Sequence, residues 1–332
     1  MRRSPLVGLV FLLALAGCSN DAGRPAPTGV APATSSPATS PPAASPAPSP
    51  VGGPTRIDIG GGQTYGLVAT ADAVWATSFD ASSAVRIDPT TNAVTATVTV
   101  PGGATSIIDD KDSLWVAGYG SPGQDGTLTR ISAGTVTASF APGEVCCDLS
   151  TGGGLVWVVD PSGAVMAVDG PKAKVVHRFP VPLDRDVHVN AVYGGDSVWV
   201  ASDTGPLYRM NPRTGRTSTL DVGGGVPFLV EADKLWGARP DALWCVDLSS
   251  GKLARTIPLD DSTEVMALAV KDASIFVGLR HPGRVGAVVK LSAGSGAVVG
   301  ETPVDVPARI VIAFGSAWVT DSGSRNVYRL PL

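Results

Sequence analysis

Histidine and cysteine are scarce in this chain, at three and four residues out of 332. No Cys-x-x-Cys pair occurs, so the usual spacing for a redox couple or a zinc ribbon is missing. No glycine-rich phosphate loop and no Gly-x-Ser-x-Gly elbow is present, which leaves nucleotide chemistry and serine-hydrolase chemistry without a motif. Charged residues make up only 16% of the chain, the formal net charge is −4, and the basic residues form no stripe. A nucleic-acid partner is therefore not expected. From Ser19 to Pro54 there is no aromatic residue at all, and that segment is almost entirely Ala, Pro, Ser, Thr and Gly. It cannot bury enough apolar surface to fold and reads as an extended tether. Its 36 residues, at ~3.1 Å each in a polyproline-like form, would reach on the order of 110 Å.

The one apolar run of note, Leu6 to Ala16, follows Arg2 and Arg3. It is short for a membrane span and has the form of an export signal. Its end, Leu15-Ala-Gly-Cys18, resembles the lipobox of bacterial lipoproteins. That resemblance implies cleavage before Cys18 and a diacylglycerol on its thiol. The protein would then sit on the outer face of the cell membrane, held by lipid. An ordinary secretory signal is the alternative. Three cysteines remain after lipidation, and thiols outside the cytoplasm tend to oxidise. Adjacent Cys146 and Cys147 are candidates for a vicinal disulfide, with Cys245 left over. Three reduced thiols are the other option.

What is abundant is repetition. Asp196-Ser-Val-Trp-Val-Ala-Ser202 is rewritten as Asp72-Ala-Val-Trp-Ala-Thr77, Asp112-Ser-Leu-Trp-Val-Ala117, Gly154-Leu-Val-Trp-Val-Val159, Asp233-Lys-Leu-Trp-Gly237, Asp272-Ala-Ser-Ile-Phe-Val-Gly278 and Gly315-Ser-Ala-Trp-Val-Thr320. The aromatics recur every 37 to 42 residues, and of the seven tryptophans only Trp244 stands outside the pattern. A period near 40 with a short apolar strand per unit marks a propeller. Each unit reads as four strands, illustrated by Asn190 to Tyr193, Val198 to Ala201, Leu207 to Met210 and Arg216 to Val222. Turns such as Asn211-Pro-Arg-Thr-Gly215 separate them. The recurrent aromatic is expected to fill the space between neighbouring sheets.

The last unit lacks its outer strand, and Thr55-Arg-Ile-Asp-Ile59 at the other end lacks a partner. The expected fold is therefore an all-β seven-bladed propeller over 55–332, closed by strand 55–59 in the last blade. Residues 1–18 are the expected signal and 19–54 the tether. The repeat, with Arg86-Ile-Asp-Pro-Thr-Thr-Asn92 and Arg209-Met-Asn-Pro-Arg-Thr-Gly215 after its Trp strand, resembles bacterial seven-bladed YVTN/NHL-type propellers. It is also similar to the virginiamycin B lyase-like group. Such propellers range from binding scaffolds to lyases, so the resemblance implies a fold more than an activity.

In a propeller the segments entering each first strand crowd round one mouth of the central channel. They bring Tyr65, Asp148, His188, Asn190, Phe228, Glu264 and Arg309 towards one another, with Arg239 and His281 on the rim. A few polar groups with an aromatic wall suit a small ligand, a peptide or a glycan. The primary expectation is a monomeric binding or scaffold module without a cofactor. The alternative is a metal-assisted lyase or hydrolase. There His188 would act as general base with Glu264 beside it, and Asp148, Asn190 and Glu264 would offer oxygen ligands to Mg²⁺ or Ca²⁺.

Overall fold

The structure is a computed structural model that describes residues 53–120, 125–160, 163–183, 188–260 and 263–332. The expected signal, the lipidated Cys18, nearly all of the tether and the side chains of Cys146 and Cys147 lie outside the described residues. The described residues form one compact unit. Among the described residues every regular element is a β-strand.

The strands form seven antiparallel four-stranded sheets, six of them built from four consecutive strands. These are blades 1 to 6. Their inner strands are Thr64–Ala69, Gly103–Asp109, Cys146–Gly152, Val189–Gly194, Val226–Glu231 and Glu264–Lys271. Blade 7 starts with Pro307–Ala313 and ends in Asn326–Pro331, against which the N-terminal strand Thr55–Asp58 pairs as the fourth strand. The register sets Ile57 opposite Val327 and Asp58 opposite Asn326. Thr64 strengthens the closure. It is fully buried, and its hydroxyl reaches the carbonyls of Asp321 and Asn326 at 2.9 and 3.1 Å. The seven-bladed fold closed by the N-terminal strand is as the sequence leads one to expect.

Several turns after the inner strands have two successive residues with positive φ, such as Gly153-Gly154, Gly195-Asp196 and Phe314-Gly315. Two such residues make the tight hairpin whose twist matches that of the strands. The tryptophan then seals the turn. Trp157, Trp199 and Trp318 donate their indole N–H to the carbonyls of Gly152, Gly194 and Ala313 at 3.0, 3.0 and 3.1 Å. In each case the acceptor lies five residues upstream, at the end of the inner strand. In these three blades the aromatic thus fills the gap between blades and caps the preceding hairpin with its polar edge, whereas Trp115 buries its indole N–H without a hydrogen-bond partner among the described residues.

The third strand adds a second half to this device. Its Arg or Lys lies directly across from the aromatic: Trp199 faces Arg209, Phe276 faces Lys290 and Trp318 faces Arg329. The cationic groups sit over the rings at 5.3, 5.4 and 5.0 Å from the centroids. Arg130, Arg209 and Arg329 also donate Nε–H to Ser113, Ser197 and Ser316 at the start of the second strand. Arg209 and Arg329 are therefore packing residues, whereas Arg86 of the Arg-Ile-Asp-Pro turn pairs with Asp72 at 2.8 Å. Blades 3 and 5 depart from the rule. In blade 3 Ala167 faces Trp157, and in blade 5 the facing residue is a cysteine. Cys245 faces Trp236, and the cation moves to Arg255 in the outer strand opposite Cys245. Burial pushes the Cys245 thiol up to about 11, so it stays protonated and unreactive at neutral pH. Gly237 in the same blade leaves room for Trp244, since a Cβ there would lie 2.1 Å from its ring. This accounts for the tryptophan outside the repeat.

Seven apolar clusters hold the ring together, each shared by two adjacent blades. Stability is thus distributed round the ring as nearest-neighbour contacts. The inner edges face a channel, and there the side chains of one blade satisfy the backbone of the next. Ser106 accepts from Leu149 N–H at 3.2 Å and Ser150 from Tyr193 N–H at 2.8 Å.

Candidate functional site

The inner strands are irregular where they enter the channel. Six of the seven shift register against their second strands there, at Thr64/Leu67, Ala104/Ser106, Cys146/Ser150, Pro227/Leu229, Val265/Ala267 and Pro307/Arg309. A bulge breaks the in-out alternation and re-aims a side chain. The residues at or next to these bulges include Tyr65, Thr105, Asp148, Phe228 and Arg309. Blade 4 has no such bulge and supplies Asn190, paired in regular register with Ala201.

Asp148 and Arg309 meet in an ion pair. They belong to blades 3 and 7, which are not neighbours, so the pair crosses the channel as a chord. Asn190 fixes the acidic end. It is 1% exposed, and its amide N–H groups reach the Asp148 carboxylate at 3.3 Å and the Pro227 carbonyl at 2.9 Å. Its own oxygen accepts from Ala191 N–H at 2.9 Å. Arg309 is 20% exposed and Asp148 25%. Desolvation pushes the Arg309 guanidinium down to about 10, which still leaves it charged at neutral pH.

Two spaces share this pair as a wall. One, of about 130 Å³, is bounded by Tyr65, Thr105, Asp148, Ala308 and Arg309, from the arc of blades 7, 1, 2 and 3. The other, of about 460 Å³, runs along the channel and is lined by residues of all seven inner strands, Phe228 among them. Tyr65 packs edge-on against Phe79 with centroids 5.8 Å apart, and its hydroxyl donates to Gln63 Oε1 at 3.0 Å. Burial, then the nearby Asp80 carboxylate, holds that hydroxyl above the usual phenol range. The Thr105 hydroxyl donates to the Ala117 carbonyl at 3.2 Å.

Of the residues expected at the mouth, Tyr65, Asp148, Asn190, Phe228 and Arg309 line or buttress the channel. The others have partners of their own. His188 is half exposed, with Nδ1 3.6 Å from Asp203. Glu264 accepts from Arg280 Nε at 2.8 Å across the strand pair. Arg239 is spent on Asp241 at 2.6 Å and the Val222 carbonyl at 2.7 Å. His281 lies beside Arg284 at 3.1 Å, lining a separate cleft of about 740 Å³ between blades 5 and 6. Thr105, Phe79 and the bulges escaped the sequence reading. The breaks in alternation beside Gly66, Pro227 and Pro307 were the available signal.

The oxygen donors do not fit a divalent cation. The Asp148 carboxylate is engaged by a guanidinium and faces the amide nitrogen of Asn190, while Glu264 is paired with Arg280. Among the described residues no cluster of three or more acidic, His or Cys side chains is placed to hold a metal ion.

Fold and site together define a seven-bladed β-propeller whose channel is crossed by a polar, ion-paired bar. No known family model matches the chain, and no curated protein is similar to it.

Proposed function

We propose that the protein is a lipid-anchored, extracytoplasmic binding module of the YVTN/NHL type that takes a small ligand at the Asp148–Arg309 bar. One observation carries this reading. The Arg309 guanidinium lies deep in the channel, and its only polar partner among the described residues is Asp148. A guanidinium has five N–H donors in a fixed fork, more than one carboxylate uses, so Arg309 keeps donors for a molecule that enters the channel. With only part of the side chain exposed, a ligand or water in the channel is the partner those donors are left to meet. A peptide, a glycan or a small molecule could enter the mouth. The metal-assisted lyase reading has no comparable support, since Glu264 is held by Arg280 and neither it nor His188 lines the two spaces beside the bar.

A thermal-shift panel of small metabolites, sugars and short peptides tests the binding reading. At least one compound is expected to raise the melting temperature of the wild type and not that of Arg309→Met/Asp148→Asn. Identical shifts in both proteins would place binding elsewhere. The anchor has its own test. A Cys18→Ser chain expressed in a bacterium that makes lipoproteins should move from the membrane fraction to the soluble extracytoplasmic fraction. Retention on the membrane would contradict lipidation at Cys18.

A further inference from the structure

We infer that the ligand of this site is a small zwitterion of the α-amino-acid class, its carboxylate on Arg309 and its ammonium on Asp148. The inference rests on the mouth being the binding site, and it adds the charge pattern of the ligand. Asp148 and Arg309 neutralise each other in a partly buried place. An anion alone would take Arg309 and strand the Asp148 carboxylate. A cation alone would take Asp148 and strand Arg309. An unpaired buried charge is strongly unfavourable in either case. A zwitterion inserted between the two exchanges one ion pair for two and strands neither.

The surrounding groups agree with that orientation. Arg309 offers the planar fork that matches a carboxylate with two parallel hydrogen bonds. Asp148 is held by Asn190, which is itself anchored on Pro227 and Ala191, so the acidic end is a fixed acceptor. The hydroxyl hydrogens of Tyr65 and Thr105 are already donated to Gln63 and Ala117. What those hydroxyls still present is lone pairs, which suit an ammonium and not a second carboxylate. A ligand whose side chain enters the space of about 130 Å³ walled by Tyr65 and Ala308 must have a small one.

Isothermal titration calorimetry of the full chain with glycine, L-alanine, L-serine, acetate and ethylammonium tests the inference. At least one amino acid is expected to bind saturably, with acetate and ethylammonium each at least tenfold weaker. The double variant Arg309→Met/Asp148→Asn removes both charges together, so neither is left unpaired. It should keep a cooperative melting transition and lose amino-acid binding at least tenfold. Acetate binding as tightly as the amino acids, and lost in the double variant, would overturn the zwitterion and leave the mouth as an anion site. Amino-acid binding that survives in a folded double variant would overturn the site as well. Absence of binding by all three amino acids overturns the zwitterion, whatever the panel of other compounds shows.

Discussion

Removal of residues 55–59 is expected to destabilise the whole propeller and not merely fray one end. Thr55–Asp58 is the outer strand of blade 7, about 270 residues away in sequence from its partner strand Asn326–Pro331. Ile57 and Ile59 are 5% and 7% exposed and belong to the cluster shared by blades 7 and 1, with Leu67, Val85, Trp318 and Val327. Burying an isoleucine side chain contributes about 1.5–3 kcal/mol, so the two together supply roughly 3–6 kcal/mol. A domain's entire stability is on the order of 5–15 kcal/mol. The deletion would also leave the edge of Asn326–Pro331 unpaired. The urea midpoint of the truncated chain should fall steeply, in one cooperative transition. By contrast, Asp58→Ala should matter little. It removes two exposed contacts, the pair with Arg325 at 2.9 Å, of a kind worth about 0–1 kcal/mol, and the bond from Gly60 N–H at 2.9 Å, of a kind worth about 0.5–1.5 kcal/mol. An unchanged midpoint after deletion would show that the ring does not depend on its N-terminal strand.

The second large effect is expected at the bar. Arg309→Met leaves the Asp148 carboxylate without its counter-ion while Asn190 still holds it in place. Breaking a buried pair from one side costs about 3–5 kcal/mol. Here the loss should lie near the lower end, about 3 kcal/mol, because both partners keep some exposure. Adding Asp148→Asn should restore much of it, since the remaining pair is neutral and can hydrogen-bond. Denaturant unfolding of the two single variants and the double variant gives the coupling directly. If the single and double variants are equally destabilised, the two side chains do not interact across the channel.

The architecture was legible because each blade repeats the same physical solution. Trp199 and its counterparts must cover a hairpin and fill the gap between blades, so the aromatic keeps its place while the turns vary. The exceptions are equally physical. Phe276 still packs with Lys290 over it, and blade 5 has Cys245 across from its tryptophan and its arginine, Arg255, one strand further out. The missing fourth strand of the last unit pointed to Thr55–Asp58 for the same reason, because an open edge demands a partner.

The site was legible only in part. Counting along each strand places Tyr65, Asp148, Asn190, Phe228 and Arg309 at the same level of the channel. It does not say which of them touch. That depends on six local bulges and on a contact between non-neighbouring blades, and neither has a short-range signature. His188, Glu264, Arg239 and His281 have the right residue types at the right level. Glu264, Arg239 and His281 are bonded instead to Arg280, Asp241 and Arg284, and His188 lies 3.6 Å from Asp203, neighbours that a sequence does not assign to them.

The central claim is that ligand binding centres on the Asp148–Arg309 bar. A crystal structure of the protein soaked in a saturating concentration of L-alanine tests it most directly. The expected result is density between the two side chains, with the carboxylate on the Arg309 guanidinium and the ammonium on Asp148. An undisturbed Asp148–Arg309 pair, with ligand density elsewhere or nowhere, would contradict the account.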